Sequence, residues 1–410
     1  MSASNPIAQP TRVCIVGCGF VTTDPGLLRD ARALAGAGIE THVICLRAED
    51  EPGRESSGGV CIHRLGMGTA RQEGRRRRDV LFSLLAAGKL LVLDVQHSFR
   101  VVQVDMTSAW HLAVVLMARM LGVRVIVHMV GPLPEKFATG RSGPLGGLAL
   151  ALVTLADKLA QKLATRVVVH TRELRDHMGL RGGDVHKITV VLGVPEGGAH
   201  GTSAAGQDLN RLAQLKKEER RKGIFRVIAR GEPRDSGGLE DAVRSIHLVR
   251  DRVPGVQLRI LGTPPGQALA LAKELGVDDH LHTVGSLRTD EVALELLAAD
   301  MTLMPTRMNS YSSLVHGESL FEFTALAIPL IASRLPAVES YFPDEGVVYF
   351  EAGDPEDLAD RLYYVFAHPE DAGHRVDKMN EQRAAYRWER ERKKLLGVYQ
   401  HVLEHGTDDS

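Results

Sequence analysis

The most informative segment of the chain is Phe321–Ser333, FEFTALAIPLIAS, which places one carboxylate on the opening turn of a predicted helix. That carboxylate is Glu322; Pro329 ends the helix, and a short apolar strand follows. The first amides of a helix are unpaired and lie at its positive end, so they can bind an anion. A neighbouring carboxylate can accept hydrogen bonds from both hydroxyls of a ribose while the amides hold a diphosphate. The pattern therefore suits a nucleotide-sugar, although an ordinary helix–strand unit of a parallel sheet has the same pattern.

Length and composition narrow the class of protein. With 410 residues the chain is too long for one ordinary core, so we expect two domains. Its 44% apolar and 25% charged residues are typical of a soluble globular protein. A formal net charge of −1 gives no overall attraction to polyanions, so we expect no nucleic-acid partner.

All the cysteines lie near the start of the chain, at Cys14, Cys18, Cys45 and Cys61. Cys14 and Cys45 fall inside predicted strands, where they would be small core residues. No second Cys/His pair at metal-ligand spacing accompanies Cys14 and Cys18, so we predict no metal site. This cysteine usage favours a cytoplasmic location, as does an opening segment without the apolar core of a signal peptide.

A basic run, Arg75–Arg78, precedes the apolar segment Asp79–Leu93, which also contains Lys89. Basic residues followed by an amphipathic helix can mark contact with a membrane surface. The interpretation that we favour is the solvated start of a buried helix. Weak membrane-surface contact through Arg75–Arg78 stays as the alternative.

Strand and helix patterns alternate along the chain, which predicts parallel sheets covered by helices. The alternation is interrupted at 197–223, a stretch of small, polar and charged residues that we interpret as a linker. The predicted strands of the first half are Arg12–Phe20, Thr41–Arg47, Cys61–Leu65, Arg100–Met106, Arg124–Val130, Arg166–His170 and Lys187–Gly193. Those of the second half are Phe225–Gly231, Val256–Gly262, His282–Val284, Met301–Pro305, Ile328–Ser333 and Gly346–Phe350.

Four segments, in this order, resemble the retaining group 1 glycosyltransferases of the GT-B fold. They are DPGLLRDARALAGAGIETHVICLR, VPGVQLRILG, LGVDDHLHTVGSLRTDEVALELLAADMTLMPT and the segment around Glu322. The resemblance covers nearly the whole chain. It implies an α/β protein with two Rossmann-like parallel-sheet domains facing a cleft and a C-terminal helix that crosses back to the first domain. The implied parts are an acceptor domain (1–196), the linker (197–223), a donor domain (224–382) and the final helix (383–410).

The resemblance also assigns residues to a nucleotide-sugar donor. Glu322 matches the carboxylate that binds the ribose, and Gly285 lies in the VGSL segment that meets the nucleobase edge, with Arg288 beside it. Gly231 matches the glycine that lets the backbone approach the phosphates. The other donor-side candidates are Arg234, Ser319, Glu318, Gly17 and Gly19. These residues select no particular nucleobase, and no cofactor is implied.

The chain departs from the family pattern where the charge of the donor is neutralised. Family members place Arg and Lys after the glycine, whereas here Arg234 is the only cation of GEPRDSGG and Gly237 stands at the lysine position. A second carboxylate is expected eight residues before Glu322, but Leu314 stands there. The cations left for this role are Arg230, Arg234, Arg288 and Arg307.

A second departure concerns the acceptor side. The family's His–Asp pair, which stands before a Pro-Glu dipeptide, is replaced by Val130 and Gly131. His128 and Glu135 remain as candidate catalytic groups, with Asp24 as a third. Since a lone histidine in a strand is more often a core residue, both roles of His128 stay open.

A chain that keeps this scaffold and lacks several charged site residues has three explanations. It could hold the donor differently, use an acceptor such as a thiol that needs no general base, or have lost activity. The first two lead to a metal-independent retaining transferase that moves a sugar to a small-molecule acceptor. The third leads to a non-catalytic partner or scaffold protein. A pseudo-glycosyltransferase that couples a nucleotide-activated cyclitol would share the donor site, and a homo-oligomer stays open.

Overall fold

The computed structural model describes residues 11–21, 25–49, 51–67, 75–138, 144–196, 218, 221–231, 238–262, 264–285, 295–317 and 319–405. These residues form two compact units. The first comprises the described residues through Val191 together with those from Arg392 onward, and the second runs from Leu192 to Glu391.

The first unit is built on an eight-stranded sheet. Its strands are β1 (Arg12–Phe20), β2 (Glu40–Leu46), β3 (Arg54–Ser57), β4 (Val60–Leu65), β5 (Val101–Asp105), β6 (Arg124–Met129), β7 (Arg166–Val169) and β8 (Ile188–Val190). Their order across the sheet is β3-β4-β2-β1-β5-β6-β7-β8, and every neighbouring pair except β3–β4 is parallel. Parallel strands covered on both faces carry continuous apolar runs, which explains why β1 and β2 bury Cys14 and Cys45 as predicted.

The hairpin β3–β4 is an element that the sequence interpretation missed. Gly58 and Gly59 join its strands, and both have positive φ, 59° and 80°. Two consecutive residues with positive φ make a tight hairpin turn that favours glycine. The glycine pair was a usable signal, but the polar RESS segment before it lacks the apolar residues of a predicted strand.

Six helices of the first unit connect these strands. They are α1 (Pro25–Ala35), α2 (Arg75–His97), α3 (Leu112–Met120), α4 (Leu133–Ala138), α5 (Pro144–Leu163) and α6 (Arg172–Leu180). Among the described helices, only α2 is long and apolar enough to cross a membrane, by length and composition. Phe82 and Leu90 of α2 are buried, but Leu84 and Val95 are exposed, so the favoured interpretation of a buried helix is wrong for its outer side.

The second unit contains a six-stranded sheet in which all neighbours are parallel. Its strands are β9 (Phe225–Gly231), β10 (Val256–Gly262), β11 (Leu281–Val284), β12 (Met301–Met304), β13 (Leu330–Ser333) and β14 (Val348–Phe350), in the order β11-β10-β9-β12-β13-β14. Its helices are α7 (Gly238–Val249), α8 (Gly266–Glu274), α9 (Ser319–Ala325), α10 (Pro336–Glu339), α11 (Pro355–Ala367) and α12 (Pro369–Arg383).

The last helix, α13 (Trp388–His405), belongs to the first unit from Arg392 onward. Arg124 Nη1 donates to the carbonyl oxygens of Val402 and Leu403, at 2.7 and 2.8 Å. The hydroxyl of Tyr399 donates to Gln103 Oε1 at 2.7 Å. These contacts attach the helix to β5 and β6.

Candidate functional site

Glu322 and Arg230 form an ion pair at the carboxyl end of β9. Glu322 lies in the first turn of α9, and Arg230 is the second-last residue of β9. The guanidinium donates through Nη2 to a carboxylate oxygen of Glu322. Both side chains are partly exposed, 38% for Arg230 and 29% for Glu322. The carboxyl ends of parallel strands are where ligands bind in α/β sheets, so the pair lies where a ligand can reach it.

Arg230 has hydrogen-bonding capacity to spare. Its Nε is buried and has no hydrogen-bond partner in the part of the chain that the structure describes. A buried N–H without a partner is unfavourable, and a ligand oxygen would satisfy it. Of the two candidate cations that lie in the described residues, Arg230 and Arg307, Arg230 is the one that pairs with Glu322.

Arg307 is engaged elsewhere. Its Nε and Nη2 donate to the two carboxylate oxygens of Asp241, at 2.8 and 2.7 Å. Asp241 is buried in the first turn of α7, and its hydrogen bonds raise the pKa of the Arg307 guanidinium above the ordinary value. The pair holds the segment after β12 to α7. Gly238 allows this contact, because a Cβ there would lie 1.6 Å from the carbonyl oxygen of Pro305.

The apolar side of α9 fixes the direction in which Glu322 points. Phe321 is fully buried and packs edge-on against Tyr341 and Tyr386, with ring centroids 5.8 and 5.6 Å apart. His316 also meets the edge of Phe321, at 5.1 Å. This cluster anchors the helix, which begins at Ser319, two residues before the start of the predicted segment.

The remaining donor-side glycines differ in their surroundings. A Cβ at Gly17 would lie 3.0 Å from Asp105 Oδ2, so Gly17 approaches that carboxylate closely. The pairing of β1 with β2 is irregular between Val16 and Phe20, which places Gly17 and Gly19 in a bulge. Gly285 follows β11 and is exposed, with open space around the position of a Cβ. Four further candidates, Asp24, Arg234, Arg288 and Glu318, lie outside the described residues and stay predictions.

His128 is not a lone strand histidine, because it lies in a buried chain of hydrogen bonds. The β5–β6 register places Asp105 opposite His128, and His128 Nδ1 lies 3.0 Å from Asp105 Oδ1. His128 Nε2 lies 3.0 Å from His170 Nε2, and His170 Nδ1 donates to the carbonyl oxygen of Val191 at 2.8 Å. At the other end, Gln103 Nε2 donates to Asp105 Oδ1 at 3.1 Å. The sequence interpretation missed Gln103, Asp105 and His170, although Asp105 and His170 stand near the ends of predicted strands and Gln103 lies in the middle of one.

The partners of the two histidines constrain their hydrogen bonding. The Val191 carbonyl oxygen only accepts, so His170 Nδ1 carries a hydrogen. The facing Nε2 atoms of His128 and His170 are at hydrogen-bond distance, so one of them donates to the other. Burial lowers the pKa of His128, but the charge and hydrogen bond of Asp105 raise it more, so its net pKa lies above the ordinary value. Asp105 therefore favours the charged form of His128.

Glu135 has different partners from His128. It accepts hydrogen bonds from His177 Nε2 at 2.9 Å and from Arg181 Nη1 at 2.7 Å, both on or just after α6. His177 and Arg181 also line a cavity of about 350 Å³, together with the buried Asp157. Burial raises the pKa of Asp157 to about 6. The structure therefore puts Glu135 in a separate, ion-paired group beside this cavity.

One group of described residues combines metal-ligand side chains: Glu40, His42 and His97, whose ligand atoms lie within 4.8 Å of one another. The group lies at the amino end of β2, whereas the Arg230–Glu322 pair lies at the carboxyl end of strand β9. Arg12 Nε already donates to Glu40 Oε2 at 2.8 Å, which neutralises the carboxylate. The group belongs to the first unit, whereas Arg230 and Glu322 belong to the second.

Two family models match the chain. Residues 24–192 match the glycosyl transferase 4-like domain, and residues 225–368 match the glycosyl transferases group 1 domain. No curated protein matched the sequence.

Solved structures with the same fold are distant in sequence. Sucrose-phosphate synthase from Thermosynechococcus elongatus superposes with a TM-score of 0.73 at 14% identity, over 96% of this chain and 99% of that chain. Anabaena HepE in complex with UDP-glucose gives a TM-score of 0.70 at 10% identity, over 95% and 99%. WaaG, a glycosyltransferase of lipopolysaccharide biosynthesis, gives 0.71 at 13%, over 96% and 100%. These likenesses show that the chain has the GT-B fold of two parallel-sheet α/β domains.

Proposed function

The chain belongs to the group 1 glycosyltransferases, and on this premise we propose that it transfers a sugar from a nucleoside diphosphate to a small-molecule acceptor, with retention and without a metal ion. The observation that carries the proposal is the partly exposed Arg230–Glu322 pair at the carboxyl end of β9. Structures of Anabaena HepE in complex with UDP and with UDP-glucose support a uridine diphosphate sugar as the first donor to test.

In the proposed complex, Glu322 accepts hydrogen bonds from the ribose hydroxyls, and Arg230 turns toward the diphosphate. The N–H at Arg230 Nε, which lacks a partner among the described residues, then donates to a phosphate oxygen. The bond between the sugar carbon and the diphosphate oxygen breaks, and the acceptor bonds to that carbon on the same face. The leaving phosphate takes the acceptor proton. Positive charge beside it stabilises the negative charge that develops.

His128 serves this reaction as a positioning group rather than as a base. Its Nδ1 is engaged with Asp105 and its Nε2 with His170, so both ring nitrogens already have partners within the first unit. This supports an acceptor that needs no protein base, and a sulfur nucleophile is such an acceptor because a thiol ionises near neutral pH.

The same observation favours a second candidate function, a non-catalytic partner protein that binds a nucleotide. In that case His128 and the Arg307–Asp241 pair are structural, and Glu322 holds a ligand that is never turned over. A pseudo-glycosyltransferase that uses a nucleotide-activated cyclitol is distinguished from both by its product.

Thermal unfolding of the full chain with UDP, GDP, ADP, TDP or CDP, with and without magnesium, tests the donor site. A ligand at about 100 times its Kd stabilises the folded state by about 2.7 kcal/mol, a rise of several degrees. We expect one nucleotide to act without metal. Glu322→Ala should abolish that shift and lower kcat/KM by about 100-fold, since a hydrogen bond to a charged group is lost.

Glu295→Ala is the matched control. Glu295 is exposed to a similar degree, 26%, and pairs with Arg259 in the middle of β10, away from the strand ends. This variant should retain both the shift and turnover. A shift without turnover of any sugar or cyclitol donor would support the partner protein instead, and no shift with any nucleotide at millimolar concentration contradicts the donor site.

A further inference from the structure

Three neighbouring helices of the first unit expose apolar side chains on their outer sides. α2 packs beside α3, and α3 packs beside α5. We call the outward residues of these helices, together with Trp110 in the short turn just before α3, the apolar face; the helical residues are Leu84, Leu85, Leu91, Val92, Val95, Leu116, Met120, Leu148, Leu152, Leu155 and Leu159. Several are largely exposed, with 77% for Val95, 82% for Met120 and 65% for Leu148. Soluble monomers rarely expose so many large apolar side chains on neighbouring helices, so these residues mark an interaction surface.

The sequence spacing of the exposed apolar residues follows the periodicity of a helix, so they lie on one side of it. The four leucines of α5 recur every three to four residues, from Leu148 to Leu159, which places them on one side of a helix. On α2 the inner residues Phe82 and Leu90 are buried, while the outer Leu84 and Val95 are exposed. A surface helix normally has a polar outer side, so a helix that is apolar on both sides is one that something covers.

The charges around the apolar face identify what covers it. Among the described residues, the exposed charged side chains of α2, α3 and α5 are all basic: Arg76, Arg77, Arg119, Lys158 and Lys162. The acidic side chains of Asp79 and Asp157 are buried. Asp94 is half-buried and accepts a hydrogen bond from the backbone N–H of Phe99 at 2.9 Å. A second copy of the chain would bring the same positive charge against it, whereas an anionic lipid surface is complementary.

We propose that the apolar face binds the surface of a membrane that contains anionic lipids. The leucines, valines and Trp110 enter the boundary between headgroups and acyl chains, and the basic side chains meet lipid phosphates. The helices lie in the surface and do not cross the membrane. The reason is that Phe82, Ala86, Leu90 and Leu93 of α2 are buried in the first unit, and spanning would remove α2 from its core. This proposal does not depend on the proposed transferase activity.

Co-sedimentation of the full chain with vesicles tests the proposal. The vesicles are phosphatidylcholine alone or with about 30% phosphatidylglycerol, which supplies the anionic surface. We expect binding to the mixed vesicles, weaker binding to phosphatidylcholine, and weaker binding at high salt because the basic residues are screened. The triple variant Leu148→Gln, Leu152→Gln, Leu155→Gln should bind roughly tenfold or more weakly, since apolar area drives insertion.

The matched control replaces three exposed leucines outside the apolar face, Leu180→Gln, Leu248→Gln and Leu269→Gln, and should bind like the unaltered chain. An unchanged melting temperature without any ligand shows that the α5 variant is folded. The proposal is overturned if no vesicle binds or if both triple variants lose binding equally. A concentration-dependent dimer that the α5 substitutions abolish, without vesicle binding, would overturn it as well and assign the apolar face to a second copy.

Discussion

The two units each contain a group of hydrogen-bonded polar side chains, which we call their polar centres. The two centres differ in how deeply their side chains are buried and in how fully they are paired. In the first unit, His128 is buried and hydrogen-bonded on both sides, to Asp105 and to His170, and Asp105 raises its pKa. In the second unit, Arg230 and Glu322 meet at a strand end, and both remain partly exposed. Arg230 also keeps a nitrogen without a partner among the described residues.

This contrast distinguishes polar groups that stabilise the fold from charged groups that are available to bind a ligand. A buried charge must be fully paired, because each unpaired partner costs several kcal/mol. A partly exposed pair contributes about 1 kcal/mol or less to stability and can exchange its partner for a ligand at little cost. The His128 chain therefore maintains the first unit, whereas the Arg230–Glu322 pair is available for binding.

The largest predicted change in the free energy of unfolding, and the strongest test of this contrast, is that of His128→Leu. The substitution removes a hydrogen-bond partner of the buried Asp105 side chain, and we expect a loss of about 3–5 kcal/mol in the free energy of unfolding. Glu322→Ala should change that free energy by about 1 kcal/mol or less while it removes nucleotide binding. Calorimetry of both variants measures the difference, and equal losses of stability would contradict the division between the two centres.

The same two centres show what the sequence could and could not predict. Alternating strand and helix patterns gave the parallel sheets, because β-strands such as Val101–Asp105 are short, apolar and bounded by polar turns. Glu322 could be singled out from the sequence because its whole surrounding motif is local, within one helix and the following strand, and its role stays a prediction. The partner of Glu322 is 92 residues away, so Arg230 was only one of four candidate cations.

The His128 chain was missed for a related reason. It joins the ends of β5, β6 and β7, and their side-by-side order in the sheet cannot be read from periodicity. Once the register places Asp105 opposite His128, the contact follows. For α2, membrane-surface contact was only the alternative interpretation, because burial on one side of the helix and exposure on the other are both compatible with the same run of apolar residues.

A second prediction compares His128 with another buried histidine, His63. The comparison measures how much Asp105 contributes to the pKa of His128. His63 is also buried in the first unit, but its nearest polar partner is His42, whose Nδ1 lies 3.1 Å from His63 Nε2. Burial, followed by the charge of His42, lowers the pKa of His63 to about 4. The unfolded chain protonates this group near pH 6.5, so stability should fall by on the order of 3 kcal/mol as pH drops from 6.5 to 4.

His128 gives the opposite sign. Its pKa is raised, so its contribution is fully present below the unfolded value and is lost as pH rises through the folded value. His63→Gln should flatten the acid limb of a plot of melting temperature against pH and leave the alkaline limb unchanged. The control is His186→Gln, whose side chain is exposed and which should change neither limb. An acid limb that stays as steep in His63→Gln would refute the assignment.

The smallest predicted effect comes from the end of the His128 chain. Burial, followed by the charges of Asp30 and Asp105, raises the pKa of Tyr399 well above its ordinary value, so its hydroxyl keeps the proton that it donates to Gln103. Tyr399→Phe leaves Gln103 Oε1 buried without that donor and should cost about 1–2 kcal/mol.

Tyr349→Phe in the second unit is the matched control, because Tyr349 is also buried and donates its hydroxyl hydrogen to the carbonyl oxygen of Phe342. The two variants should lose similar stability, since each removes one neutral hydrogen bond from a buried acceptor. They should differ in the titration of His128 followed by NMR of its ring nitrogens. Tyr399 reaches His128 through Gln103 and Asp105, so only Tyr399→Phe should move that titration. If neither variant changed the titration of His128, the hydrogen bond from Tyr399 of α13 to Gln103 would have no influence on Asp105. The polar centre of the first unit would then end at Gln103.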